Sequence, residues 1–392
     1  MINGYSPFDY EVQEDPYPVY AWLRDSAPVY RNDDADFWAL SRHADVAAAW
    51  PDSERFSSAN GVHLEPTSWG PDAWRFYSFL AMDPPRHTRI RSLVAGGFTG
   101  RRVANLEPFI RDIARRYVQA GVEKGSFDFH RDFAAPLPAD VINELVGVPE
   151  SDRPEVRRLT DTVALHGGNE SEVPAASLEA AFALAGYLQG LIGQRRREPR
   201  DDLATVLVQA ADEDGPLARE EIVSVLFMIG IAGTETTTRL LGNAWYDAWR
   251  HPDERAQAWA GNITGWVNET LRYDTPIQYT ARTAAEDLEL HGTRVPAGAR
   301  MVLLVGAANR DGQVFPQPDR YDIGRDTSQA LPFGKGRHFC LGAPLARLEA
   351  RIALEELTRV IGSYEIDEAD AIRVHSPEVR GFSSLPTTVK PR

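Results

Sequence analysis

The sequence predicts a mainly α-helical protein with a small β region, built as a single large domain over residues 1–392. Apolar residues recur three and four positions apart through the middle of the chain, which is the period of an amphipathic helix. Strand-like alternation is confined to short stretches, most of them near the two ends. No repeat and no Pro/Gly/Ser-rich linker divides the chain into blocks, which favours one domain over several.

Taken in chain order, each predicted element rests on its own pattern. Apolar residues at helical spacing predict helices over residues 108–122, 176–196, 219–249, 263–273 and 343–362. Short runs of apolar and β-branched residues predict strands within 37–41, 288–306 and 384–389. The polar stretches 166–174 and 211–217 carry no periodicity, and we expect them to be loops between long helices.

The charge and cysteine content exclude several classes of protein. A net charge of −15 would repel nucleic acid and anionic membranes, so neither is an expected partner and any cationic site must be local. The single cysteine cannot form an intramolecular disulfide. The acidic first residues do not resemble a signal peptide, and no window approaches the roughly 20 apolar residues that a membrane helix needs. We therefore expect a cytoplasmic protein without a membrane anchor.

The only cysteine lies in an unusual loop, "LPFGKGRHFCLG", at residues 331–342. Its glycines allow backbone dihedrals that other residues avoid and a close approach to a flat ligand. Pro344 is tolerated only in the first turn of a helix, so the next helix should begin just after Cys340. A sulfur at a helix N-terminus beside cationic residues is favoured as the thiolate.

Several roles are open to a thiolate of this kind. It could be a nucleophile, a metal ligand or a redox sensor. A lone cysteine is also commonly a small buried hydrophobe. The spacing of the surrounding residues decides between these roles, because it resembles the haem-binding loop of the cytochrome P450 family at six positions: Phe333, Gly334, Gly336, His338, Cys340 and Gly342.

The resemblance implies that Cys340 is the proximal ligand of the iron in haem b (iron protoporphyrin IX). A thiolate ligand donates electron density to the iron and favours O–O cleavage. The two propionates of a haem need cationic partners when they are buried. His87 and Arg91, four residues apart on one helical face, match the family's propionate-binding pair, and Arg282 and His338 match its remaining propionate positions.

Two further motifs match the family. Glu269 and Arg272, at i and i+3, can form a salt bridge on one face of a helix. The segment "FPQPDRYDIGRD" at 315–326 resembles the family's meander, and the match implies that Arg320 completes a structural Glu-Arg-Arg triad behind the cysteine loop. Removing one member of such a buried triad should cost roughly 3–5 kcal/mol.

A helix interruption marks the opposite side of the expected cofactor. The stretch "MIGIAGTETTTRLL" at 228–241 places glycines and hydroxyl residues inside an apolar helix. It resembles the family's oxygen-binding groove, which implies that Ala232 and Gly233 lie against the haem. Because oxygen activation needs a controlled supply of protons, we assign Thr236 the hydroxyl that hydrogen-bonds the oxygen and Glu235 the acid that relays protons.

The position of these motifs predicts the lining of a substrate pocket. The aromatic-rich segment 61–81 should form one wall. An apolar wall with few polar groups is typical of sites for small apolar molecules. The other predicted lining residues come from three segments: Met228, Ile231 and Ala232; Ile277 and Gln278; Phe382 and Ser383.

The resemblance implies a monooxygenase that inserts one oxygen atom from O2 into a polyketide, terpenoid, steroid or fatty acid. Since no second cysteine is available for an iron–sulfur cluster, electrons must come from another protein. We expect a ferredoxin with its reductase and NAD(P)H, docked on a basic patch formed by Arg86, Arg89, Lys335, Arg337, Arg347 and Arg351. The alternatives are a peroxide-driven or non-oxygenating haem-thiolate enzyme and a non-catalytic haem sensor.

Overall fold

A computed structural model describes residues 4–65, 69–164 and 174–392 of the chain. The helices, numbered in chain order, are α1 Tyr10–Glu14, α2 Tyr17–Ser26, α3 His43–Ala49, α4 Trp74–Tyr77, α5 Arg86–Ala95, α6 Gly100–Asn105, α7 Glu107–Lys124, α8 Pro136–Val146, α9 Arg153–Ala164, α10 Ala175–Arg197, α11 Leu203–Gln209, α12 Arg219–Arg250, α13 Pro252–Trp259, α14 Ile263–Tyr273, α15 Val305–Ala308 and α16 Ala343–Val360. A π-helical turn at His130–Ala134 precedes α8.

The strands are short and form small sheets. In chain order they are β1 Val29–Asn32, β2 Phe37–Leu40, β3 Phe56–Ser57, β4 Ser126–Asp128, β5 Ala211–Asp212, β6 Gly215–Pro216, β7 Tyr279–Ala284, β8 Leu288–Leu290, β9 Thr293–Val295, β10 Arg300–Leu304, β11 Ile361–Ile366, β12 Ile372–Arg373, β13 Phe382–Ser384 and β14 Pro386–Pro391. The main sheet has the order β1-β2-β10-β7-β3, with β2 and β10 parallel and the other neighbours antiparallel. A second sheet has the order β11-β14-β4, and the remaining strands form two-stranded hairpins.

The long helix α12 is the centre of the helical layer. Its 32 residues extend about 48 Å at 1.5 Å per residue. Most of its side chains are buried, and it packs against α8, α10, α14 and α16. The main apolar core surrounds it, while two smaller apolar clusters fill the space around the main sheet. A helix buried on most sides is held by packing rather than by its own propensity, so it tolerates Gly230 and Gly233 in its interior.

The predicted fold class is confirmed: the structure is mainly helical with a small β region. All five predicted helices are present, and the segment 263–273 coincides with α14. The stretch 211–217, expected to be a loop, contains the small hairpin β5–β6. The loop predicted at 166–174 lies outside the described residues except for Pro174.

One helix of the described ranges has the length and composition of a membrane span. Helix α10 reaches a mean hydropathy of 1.3 over an 18-residue window, of which 33% is buried. It packs against α9, α11 and α12 through buried leucines such as Leu184, Leu188 and Leu191. A core helix of a soluble protein meets the same length and composition test.

Candidate active site

The cysteine loop ends where α16 begins. Helix α16 starts at Ala343 with Pro344 in its first turn, as its sequence predicts. The backbone N–H of Cys340 donates to Phe333 O at 2.8 Å, which closes the loop on itself. Ala343 N donates to Cys340 O at 3.4 Å, so Cys340 immediately precedes the first turn of the helix. The sulfur is therefore held at a helix N-terminus by local backbone hydrogen bonds.

Backbone conformation and close packing against neighbouring residues require glycine at two positions of the cysteine loop. Gly334 and Gly336 have φ values of +71° and +69°, in the left-handed region that favours glycine. A Cβ atom would lie 2.5 Å from the Trp50 ring at Gly334 and 2.6 Å from Pro51 Cβ at Gly336. A side chain at either position would therefore collide with the segment after α3, and the approach of the glycine backbone to a flat ligand stays a prediction.

Opposing effects act on the thiol of Cys340. Burial raises its pKa above the ordinary value, while the backbone N–H groups of Gly342 and Ala343 and the guanidinium groups of Arg91 and Arg347 lower it. Because burial is the larger effect, the helix start and the cations do not by themselves produce a thiolate. This outcome corrects the expectation from the sequence. A coordinating metal ion deprotonates a thiol outright, so the anion would depend on coordination.

A cluster of basic side chains, two histidines and two arginines, lies beside the cysteine loop. The rings of His87 on α5 and His338 in the loop have centroids 4.1 Å apart. Burial lowers the pKa of His338 to about 2, with contributions from the charges of Arg282, His87 and Arg91. Burial and the charge of Arg91 likewise lower the pKa of His87 to about 4. The structure therefore brings together the four side chains predicted to bind propionates.

This basic cluster has free nitrogen atoms that could form hydrogen bonds with a haem. Both ring nitrogens of His87 and Nε of Arg282 are buried without a hydrogen-bond partner within the described residues. Arg91 donates to Phe339 O at 2.6 Å, and burial lowers the pKa of Arg282 to about 10. A buried guanidinium and buried ring nitrogens without partners require acceptors nearby, and the two carboxylates of a porphyrin satisfy that requirement. The residues present thus fit a haem ligated by Cys340.

The Glu-Arg pair behind the loop has a different third member from the one predicted. Arg272 Nη2 lies 2.7 Å from Glu269 Oε1, and both side chains are fully buried. Arg325 Nε lies 3.3 Å from the same oxygen. Arg320 is exposed and contributes only its carbonyl, which accepts from Arg272 Nη2 at 3.2 Å. The prediction of Arg320 as the third charge is therefore wrong, because the second arginine of the meander reaches Glu269 instead.

The predicted proton-delivery residues lie near the middle of α12. Thr236 Oγ1 donates to Ala232 O at 2.9 Å, which leaves its lone pairs as acceptors. Glu235 Oε1 lies 3.4 Å from Nη2 of Arg239 one turn later, an ion pair that the sequence reading missed. Arg239 Nη1 also contacts His130 Nε2 at 3.1 Å. The spacing Glu235-x-x-x-Arg239 was the available signal, since i and i+4 residues meet on a helix.

Gly233 faces away from the predicted groove. A Cβ atom there would lie 2.4 Å from Ile142 Cδ1 on α8, so this glycine allows two helices to pack closely. At 100° per residue, Gly233 lies on the opposite side of α12 from Ser224 and Glu235. The prediction that Gly233 lies against the cofactor is therefore corrected to a packing role. Ala232 lies on the accessible side of the helix.

A single face of α12 presents the predicted pocket residues. Ser224, Met228, Ile231, Glu235 and Arg239 follow one another at spacings of three or four and share one side of the helix. Met228 is buried and Ile231 half-buried. These residues form one continuous face, so Met228 and Ile231 stay predicted pocket residues.

The three polar and C-terminal pocket predictions need correction. The Gln278 side chain is buried, donates to Thr275 O at 2.7 Å and packs beside Gly306, so these contacts take up its polar group. The Phe382 ring contacts Tyr246 at 4.7 Å, beyond Arg239 along α12. Ser383 is exposed, and its hydroxyl donates to Ile372 O within the hairpin β12–β13.

Val379 and Glu378, a few positions before Phe382, contact the segments predicted to line the pocket. Val379 is buried and pairs with Ile277 through a β-bridge, which brings it beside a predicted pocket residue. Glu378 contacts His63 of the segment preceding α4. No spacing signal in the sequence connects these positions, because they come from opposite ends of the chain.

The predicted basic patch is smaller in the structure. Arg89 is paired with Asp212 at 3.1 Å, and Arg86 with Glu221 at 3.4 Å. Arg351 is paired with Glu107 and Glu355 on the surface of α7 and α16. Lys335 and Arg337 are exposed and make no ion pair within the described ranges. Arg347 lies over the Phe333 ring at 4.5 Å, so the unpaired cations cluster at the cysteine loop.

The chain resembles proteins of one family over nearly its whole length. The family model described as Cytochrome P450 matches residues 263–384. Cytochrome P450 123 of Mycobacterium tuberculosis is 48% identical over 389 residues, covering 98% of this chain and 97% of the relative. Vitamin D(3) 25-hydroxylase of Pseudonocardia autotrophica is 38% identical over 395 residues, covering 97% of this chain and 95% of the relative.

Solved structures give the same result. The cytochrome P450 CYP109Q5 of Chondromyces apiculatus superposes with a TM-score of 0.91 at 35% identity, and all of both chains is covered. The superposition includes the segments that carry Cys340, the basic cluster and the pair Glu269 and Arg272.

Proposed function

This chain belongs to the cytochrome P450 family of monooxygenases, and from that premise we propose that it inserts one atom of O2 into a C–H or C=C bond of an apolar small molecule. The observation that supports this most is the basic cluster beside Cys340, in which both His87 ring nitrogens and Arg282 Nε lack hydrogen-bond partners within the described residues. It offers buried donors to two carboxylates at the side of a single thiol ligand. The electrons come from a ferredoxin and its reductase, with NAD(P)H as the source.

The cofactor in this proposal is haem b. Cys340 would hold the haem iron through its sulfur, and His87, Arg91, Arg282 and His338 would bind the propionates. When bound, the haem supplies oxygen activation, which a thiolate ligand promotes by favouring O–O cleavage. The single cysteine is used as that ligand, so no thiol remains for covalent attachment of the porphyrin.

The chain's own contribution to oxygen chemistry is the controlled movement of protons. Thr236 Oγ1 has its hydrogen on Ala232 O at 2.9 Å and offers its lone pairs to the distal side. Glu235 carries a proton on a carboxylate oxygen and passes it through water toward Thr236. Arg239, 3.4 Å from Glu235, binds the carboxylate when it is charged. General acid–base steps of this kind typically contribute 10²–10⁴-fold to a rate.

The substrate in this proposal is an apolar natural product such as a polyketide, terpenoid, steroid or fatty acid. The lining drawn from Met228, Ile231, Ile277 and Val379 is apolar, as sites for such molecules are. One relative is named for the hydroxylation of vitamin D3. We further propose that residues 1–392 act as one catalytic domain, since the site draws on segments from His63 to Val379, and that the protein works in the cytoplasm.

The decisive experiment is the absorption spectrum of the reduced protein with carbon monoxide. The wild type should give the red-shifted Soret band of a thiolate-ligated haem, and Cys340→His should keep haem but lose that band. If the wild type bound haem without the red-shifted band, the thiolate assignment would fail. Turnover with ferredoxin, reductase and NADPH should exceed turnover with hydrogen peroxide; the reverse result would favour a peroxide-driven enzyme.

A further inference from the structure

Two segments far apart in sequence are anchored on the same face of α12. Ser224 Oγ donates to Trp74 O at 2.7 Å, which fixes the segment that includes α4. Arg239 Nη1 donates to Phe382 O at 2.6 Å, which fixes the C-terminal segment. The two anchor points are fifteen residues apart, or about 22 Å along the helix. The helix face between the anchors is the one that presents Met228, Ile231 and Glu235.

The two segments contact each other through His63 and Glu378. Their side chains are in direct contact. Both backbones are tied to neighbouring residues of one strand region: Val62 O accepts from Ala281 N at 2.7 Å, and Glu378 O accepts from Gln278 N at 2.7 Å. The pair is therefore fixed by the backbone at the point where the two segments meet beside the pocket face.

This pair is a polar contact next to Val379, the neighbour of Glu378 that pairs with the predicted pocket residue Ile277. The side chains of His63 and Glu378 remain 19% and 24% exposed, so neither is sealed by packing. The His63 ring lies 4.6 Å from the ring of Tyr77, which holds its orientation. Both side chains thus keep a surface that a bound molecule can contact.

The charge state of the pair decides what it can bind. Burial and the charge of Arg282 lower the pKa of His63 to about 4, which favours the neutral imidazole at pH 7. A neutral imidazole donates one N–H to Glu378 and leaves its other nitrogen as an acceptor. Glu378 is an acceptor with a negative charge. The pair therefore offers acceptors and repels anions.

We propose that His63 and Glu378 form a polar subsite that binds a hydroxyl group of an otherwise apolar substrate and disfavours a carboxylate. This inference rests on the proposed function and narrows its substrate class to neutral hydroxylated molecules. A hydroxyl donates to Glu378 or to the free nitrogen of His63, and hydrogen bonds to a charged group are the stronger ones. A fatty acid would instead bring a second negative charge beside Glu378.

The test compares two probes that differ only in the head group. Dissociation constants of 1-decanol and decanoate are measured by isothermal titration calorimetry on the haem-loaded protein at pH 7.5. The wild type should bind decanol at least about tenfold more tightly than decanoate, and Glu378→Gln should reduce that ratio about tenfold. An unchanged ratio in Glu378→Gln would overturn the proposal.

A second variant and a matched control keep the result interpretable. His63→Phe keeps an aromatic ring beside Tyr77 but removes the acceptor, and it should weaken decanol binding while leaving the Soret spectrum unchanged. Asp45→Asn removes the carboxylate of an exposed imidazole pair, His291 with Asp45 at 2.9 Å, and should leave both dissociation constants unchanged. The head-group ratio is also measurable on haem-free protein, so failure of the carbon monoxide test would not be confused with failure of the subsite.

Discussion

At the scale of single residues, two threonines of α12 share one local geometry and differ in surroundings. Thr236 Oγ1 donates to Ala232 O at 2.9 Å, and Thr238 Oγ1 donates to Thr234 O at 2.9 Å. Thr238 is 4% exposed, whereas Thr236 retains accessible surface. Only Thr236 can therefore form a hydrogen bond with a molecule on the distal side, and Thr238 serves as its matched control.

Thr236→Val should uncouple electron consumption from product formation. The change removes the hydroxyl that receives the relayed proton but keeps the side-chain volume nearly constant. We expect product formed per NADPH to fall about tenfold or more while NADPH oxidation continues and hydrogen peroxide accumulates. Thr238→Val should keep the coupling of the wild type. Tight coupling in Thr236→Val, measured as product and peroxide per NADPH, would refute the role assigned to Thr236.

The residues that the sequence could predict are those at fixed spacing within one segment. Cys340 and the pair His87 and Arg91 follow from local motifs, and the structure places them together. The contact between His63 and Glu378 depends on how two distant segments fold over α12, so no local spacing could have predicted it.

At the scale of elements, the triad is connected to the cysteine loop by hydrogen bonds. Arg272 Nη1 donates to Asn309 O at 3.0 Å, and Leu331 N donates to Asn309 Oδ1 at 2.7 Å. Helix α14 is thereby linked to the first residue of the cysteine loop through one asparagine. Glu269 neutralises the charge of Arg272 and also accepts from Asp322 N at 3.0 Å. A loss of this charge balance should disturb the loop that carries Cys340.

Arg325→Ala should destabilise the protein, and Arg320→Ala should not. Arg325 is 9% exposed and is the second cation on Glu269, so its removal leaves a buried carboxylate with one partner fewer. We expect the free energy of unfolding to fall by roughly 3 kcal/mol, with faster loss of haem. Exposed Arg320 contributes its carbonyl, which alanine retains, so its change should be within about 0.5 kcal/mol. Denaturant unfolding measures both variants; equal losses would contradict the corrected triad.

The elements themselves were predictable where a long apolar period extends through the chain. Helix α14 matches the predicted range, and α12 and α16 differ from theirs by one or two residues. The hairpin β5–β6 could not be predicted, because strands of two residues show no alternation. The third triad charge was missed because Arg320 and Arg325 lie in the same irregular meander, where no helical or strand period indicates which side chain turns inward.

At the scale of the whole molecule, the surface charge is distributed unevenly. The chain carries a net charge of −15. Several basic residues of the predicted patch are neutralised in the fold, as Arg89 is by Asp212 and Arg351 by Glu355. Lys335 and Arg337 are exposed on the loop without such pairs in the described ranges. A cationic spot close to Cys340 on an acidic protein is suited to an acidic electron donor.

Arg337→Glu should slow electron delivery without affecting the active site. Reversing this charge removes attraction for an acidic ferredoxin, so the rate of haem reduction at low ionic strength should fall about tenfold or more. The difference in reduction rate between the variant and the wild type should shrink as salt is added, because screening weakens the electrostatic attraction between the wild type and the ferredoxin.

The control is Arg294→Glu on β9, where an 80% exposed arginine pairs with Asp287 away from the cysteine loop. An exposed pair contributes little to stability, so this variant should fold and be reduced at the wild-type rate. Arg351→Glu is less suitable, because it would also break the ion pairs with Glu107 and Glu355. Stopped-flow reduction with ferredoxin at several salt concentrations measures the effect. If Arg337→Glu and Arg294→Glu were reduced equally fast at low salt, the donor would dock elsewhere on this surface.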